Sequence, residues 1–97
     1  MKQPTPIECT LCATPAYVHA MPNFGKYSAI ACAACGEFVV SDTAADRIKG
    51  LPNEFKDHWR AMIRSAKSDE VLLITVEPVG SGGGLKQELV PRRSLSL

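Results

Sequence analysis

The chain has no long apolar run, almost no net charge, few aromatic residues and only two histidines, and each shortage narrows what it can do. Its longest strictly apolar run, residues 71–74, is extended only by Thr75 and Val76. That is far short of the ~20 apolar residues a membrane-spanning helix needs, so no membrane role is expected. The formal net charge is +1, not the strong basicity of a protein that lives on nucleic acid. The amino-terminal stretch MKQPTPIEC has a lysine but no apolar core of a signal peptide, and a cytoplasmic chain is the expectation. His19 and His58 are the only imidazoles. No HExxH surrounds either, no Ser-His-Asp arrangement is visible, and GSGGG (residues 80–84) lacks the GxxxxGK[ST] grammar of a phosphate-binding loop. The chain therefore reads as a non-enzyme, its histidines structural or surface residues.

What the sequence does have is four cysteines, all of them in CxxC pairs: Cys9 and Cys12, then Cys32 and Cys35 after nineteen intervening residues. A two-residue gap lets one tight turn aim both sulfurs at a single point, about 2.3 Å from a zinc ion. The interval holds two short strands and a turn, enough to return the second pair and complete a tetrahedron. Gly36 follows the second pair, where such a turn favours a left-handed residue. A thioredoxin-like thiol pair would need one CxxC opening a helix after a strand. Here there are two pairs, and strand-like sequence follows Cys35. Disulfides are disfavoured in a reducing cytosol, and packing alone gives no reason for the doubled spacing. Iron suits four thiolates as well, but one structural Zn²⁺ on Cys9, Cys12, Cys32 and Cys35 is the favoured reading. With four thiolates and zinc counted, the net charge becomes about −1.

Around the cysteines the texture changes three times. AYVHAM, YSAIA and EFVVS read as strands, the first two joined by a turn at Pro22, Asn23 and Gly25. Residues 42–68 read as two helices: one capped by Asp42 and stopped by Gly50, the other opened by Pro52 and Asn53. On the second, Phe55, Trp59, Met62, Ile63 and Ala66 make one apolar stripe at i, i+4, i+7, i+8 and i+11. Beside it runs a basic row, Lys56, Arg60, Arg64 and Lys67, a candidate contact for phosphates or an acidic partner. The same row also suits the helix dipole, with Glu54 and Asp57 in the first turn and cations after. Residues 69–77 read as a buried strand apolar on both faces. An exposed apolar edge there would need another chain, so a homodimer or partner interface between Val71 and Val76 is expected. The glycine-rich remainder, residues 80–97, reads as a flexible linker and tail, with Arg92 and Arg93 as a two-residue basic cluster.

With two CxxC motifs flanking predicted hairpins, the sequence resembles the zinc ribbon class. CAACGEFVVSDTAA is also similar to a ribbon module found at the start of many uncharacterised bacterial proteins. The resemblance spans about residues 7–50. Thr10 and Ala33 stand where that class has prolines after the first cysteine of each pair, and Ala13 stands where it has glycine. The expected fold is small α+β: a ribbon over 7–41, as the resemblance implies, with helices over 42–68 and one additional strand over 69–77 from the residue pattern, together a single domain of residues 1–79. The expected function is a non-catalytic interaction module for a protein partner; a bacterial or phage regulatory or defence-related setting is what the ribbon resemblance implies. A small nucleic-acid-binding regulator using the basic row is the alternative. An electron-transfer protein holding iron on its four cysteines is a third.

Overall fold

The structure is a computed structural model and describes residues 5–21, 27–76 and 84–95. Short segments of alternating or apolar sequence form six strands: β1 (Thr5–Glu8), β2 (Pro15–Ala20), β3 (Tyr27–Cys32), β4 (Gly36–Ser41), β5 (Glu70–Val76) and β6 (Leu85–Pro91). They lie side by side in chain order in one sheet. Every neighbouring pair is antiparallel except β4 and β5, which run parallel. Parallel neighbours require a crossover, and here it is made by α1 (Asp42–Lys49) and α2 (Asn53–Ser65).

The registers sort the side chains onto two faces. Ala16, Cys32 and Gly36 align across β2, β3 and β4, as do Val18, Ile30 and Phe38, with Leu72 of β5 and Leu89 of β6 continuing the second row. This face carries the main core: Phe38, Val40, Leu72 and Ile74 pack with Ala44 and Ile48 of α1 and with Trp59 and Ile63 of α2. The opposite face carries a smaller cluster of Met21, Ala29, Val39, Val71 and Leu95. The central strands β4 and β5 are therefore apolar on both sides, which is why they read as continuous hydrophobic sequence rather than as an alternation.

Local chemistry sets the helix ends. Ser41 caps α1, its Oγ accepting the Ala44 N–H at 3.2 Å, while Asp42 takes the first helical position, where its charge still favours the dipole. The cap thus lies one residue before the one expected. Gly50 ends α1 as anticipated, and Pro52 precedes α2 with no side-chain cap. On α2, Trp59 and Ile63 are buried and Met62 is partly so, whereas Phe55 is 55 % exposed. The stripe loses its first member because α2 packs on β4 and β5 through its later turns. Its last member, Ala66, is the C-cap in extended conformation.

The expected flexible tail is corrected. Residues 85–91 form β6 along the free edge of β5, and a short 3-10 helix, Arg92–Leu95, follows. Leu95 is buried in the smaller cluster, and Arg92 forms an ion pair with Glu37 of β4. There are accordingly two strands after the helices, not one, and β1 adds a further strand ahead of the first cysteine pair. The interface expected between Val71 and Val76 loses its premise: β4 and β6 occupy both edges of β5, and Val71, Leu72 and Ile74 are buried within the chain. The turn at Pro22, Asn23 and Gly25 and the glycines at 80, 82 and 83 lie outside the described residues. No helix among the described residues is long and apolar enough to cross a membrane.

Candidate metal centre

Each cysteine pair occupies a tight turn between two strands. In the first, between β1 and β2, the Cys9 N–H donates to the Thr14 carbonyl and the Ala13 N–H to the Cys9 carbonyl, both at 2.9 Å. Ala13 takes a left-handed φ of 61° to close it. In the second, between β3 and β4, the Cys35 N–H donates to the Cys32 sulfur at 3.4 Å, and Gly36 follows at φ 107°. Because β2 and β3 are antiparallel neighbours, with Ala16 opposite Cys32, the two turns share one end of the sheet and face each other.

The four sulfurs consequently meet, all within 4.8 Å of one another. The Cys9 and Cys35 sulfurs are 4.0 Å apart and those of Cys12 and Cys32 3.4 Å. A regular tetrahedron with bonds of 2.3 Å sets its corners about 3.8 Å apart, so the spacing fits one zinc-sized ion. It does not fit disulfides, whose sulfurs are bonded at about 2.05 Å, and all four cysteines are free. Cys9, Cys32 and Cys35 are buried and belong to the main core; Cys12 is partly exposed.

Four thiols in so small a volume cannot share negative charge without a cation. Burial pushes the Cys9 thiol up to about 11, against the opposing backbone N–H groups of Leu11 and Cys12. Burial, with hydrogen bonding from Cys12 and the charge of Cys9, drives Cys35 still higher. Burial also acts upward on Cys12, but hydrogen bonds from Thr14 and the neighbouring thiols Cys35 and Cys32 outweigh it and bring that thiol down to about 6. One thiolate stabilised at the expense of its neighbours is what like-charge crowding produces. A divalent metal would relieve it by holding all four deprotonated. The donor set, its spacing and its burial therefore fit the expected ion.

Of the basic row, Lys56, Arg60 and Arg64 lie on α2 and Lys67 does not. Lys56 is half-buried and Arg64 exposed on α2, but Lys67 lies beyond the helix, in the connection to β5, where its backbone N–H meets the Glu70 carboxylate at 3.2 Å. Arg60 is paired with Asp57 at 3.2 Å, and charge at Cys35 holds its guanidinium more firmly protonated. It belongs to the surroundings of the cysteines, a placement nothing in the sequence signals across the 25 residues from Cys35. A cleft of about 1010 Å³ opens at the centre, lined by Cys9 and Cys12 and also by Ile7 of β1, Lys49 of α1 and Lys56 and Arg60 of α2. His19 and His58 are exposed and are not part of the four-residue metal cluster. No family model, curated protein or solved structure matches the chain.

Proposed function

We propose that the chain is a zinc-ribbon module in which Cys9, Cys12, Cys32 and Cys35 hold one structural Zn²⁺, and that it acts as a non-catalytic binding platform for a protein partner in a bacterial or phage setting. The observation that carries the metal reading is the convergence of four free thiols, three of them inside the main core. A metal with four protein ligands has no open position at which to activate water, so its role is to hold the fold. A protein partner is favoured over nucleic acid by what remains accessible. With Arg60 paired and Lys67 off the helix, the row that could have gripped successive phosphates is reduced to Lys56 and Arg64. Meanwhile Phe55 and Tyr17 stand 55 % and 54 % exposed, and aromatic side chains are enriched at protein interfaces.

Elemental analysis of the native protein should find one zinc per chain and no visible colour. Stoichiometric iron with visible absorption would replace this reading with electron transfer. Capture from host lysate should recover a protein partner that survives nuclease and depends little on salt. Binding that vanishes with nuclease and falls steeply with salt would establish the nucleic-acid regulator instead.

A further inference from the structure

Helix α2 is docked against the second cysteine turn. Ile63 is buried on its inner face, and its Cγ2 lies 2.9 Å from where a Cβ on Gly36 would stand. Gly36 directly follows Cys35, so the helix approaches the cysteines as closely as a residue without a side chain permits. Arg60 sits one turn earlier on α2 and lines the same cleft as Cys9 and Cys12. Its side chain is only 29 % exposed, Asp57 holds one terminal nitrogen at 3.2 Å, and its Nε is buried with no hydrogen-bond partner. A desolvated guanidinium donor without an acceptor is costly unless negative charge lies close by. Four metal-bound thiolates carry two negative charges beyond those the zinc neutralises.

We propose that Arg60 offsets the charge of the metal–thiolate centre, anchored by Asp57 and by the docking of α2 on the second cysteine turn, and that it raises the affinity of the centre for its metal. The inference rests on the four-cysteine metal reading above. Its physical basis is Coulombic: a fixed cation beside the loaded centre lowers the free energy of a complex that still carries excess negative charge. Arg64, one turn further along α2 and exposed, has no such role.

The test is competition for zinc between the full chain and a chromophoric chelator, repeated with cobalt(II) so that the sulfur-to-metal charge-transfer band can be read. Arg60→Met should weaken zinc binding by about tenfold, the low end for residues that support metal ligands. It should also move the cobalt charge-transfer band to lower energy, because unscreened thiolates donate more readily. Arg60→Lys, which keeps the charge, should recover most of both changes, and Arg64→Met should change neither. Arg60→Gln, a second neutral replacement that keeps a polar tip, should weaken zinc binding to a similar extent, and it covers the case of an Arg60→Met chain that fails to fold. Unchanged affinity and band position in Arg60→Met, or equal losses in the Met and Lys variants, would overturn the proposal while leaving the zinc centre intact. A native chain that binds no stoichiometric metal would overturn the centre itself.

Discussion

Ala13 and Gly36 occupy equivalent places after the two cysteine pairs, and both take positive φ, 61° and 107°. For alanine the left-handed region costs roughly 1–2 kcal/mol, partly offset because glycine would lose more chain entropy on folding. Ala13→Gly should therefore stabilise the protein by about 0.5–1 kcal/mol, seen in calorimetry as a rise of a few degrees in Tm. Gly36→Ala should do the opposite and more, because its new Cβ would also press on Ile63 Cγ2 at 2.9 Å. A loss of about 2–4 kcal/mol is expected, measured by denaturant titration. Of the two, Gly36 is the one that the sequence signals, by its residue type after the second pair. The CxxC spacing fixes a turn over a handful of residues, and a turn so tight dictates its own dihedrals. Arg60 is not legible in this way, since only the packing of α2 brings it to Cys35.

At the scale of elements, periodicity identifies a shared face but not how much of that face finds a partner. The 3.6-residue pattern correctly puts Trp59 and Ile63 inside, yet it gives Phe55 the same standing, and the structure leaves Phe55 mostly in solvent. Trp59 is 4 % exposed and donates its indole N–H to Gln87 of β6 at 3.3 Å. Trp59→Ala should cost about 3–5 kcal/mol, whereas Phe55→Ala should leave the denaturation midpoint within about 0.5 kcal/mol of the parent, as surface changes do. The tail departs from its sequence pattern for a related reason: whether LKQELVP is loose or paired depends on a partner strand that its own residues do not reveal. The apolar edge of β5 does need cover, and the cover is β6 from the same chain. Leu95 then closes the smaller cluster with Met21, Ala29, Val39 and Val71. Leu95→Ala should accordingly cost about 2 kcal/mol in chemical denaturation, the low end for a buried leucine. A truly loose tail would show no change.

For the whole molecule, the decisive feature is that the cysteines are part of the main core. Cys9, Cys32 and Cys35 pack in the same cluster as Phe38, Ile48, Trp59, Ile63 and Leu72, which draws together both helices and the central strands. A chain of 97 residues has a net stability of about 5–15 kcal/mol. A structural zinc contributes on the order of 10 kcal/mol, comparable to that whole margin. The sequence reads as a single domain over residues 1–79, and the shared core argues for one cooperative unit. Removing the proposed zinc with a strong chelator, or changing Cys32→Ser, should therefore unfold the helical layer together with the ribbon. Trp59 lies on α2, away from the cysteines in sequence, and its fluorescence reports on that layer. Under chelation its emission should shift to the red in the same single transition as the loss of far-ultraviolet circular dichroism. Two separate transitions, with Trp59 still buried after the metal has gone, would show that β4, β5 and the helices hold together without the metal.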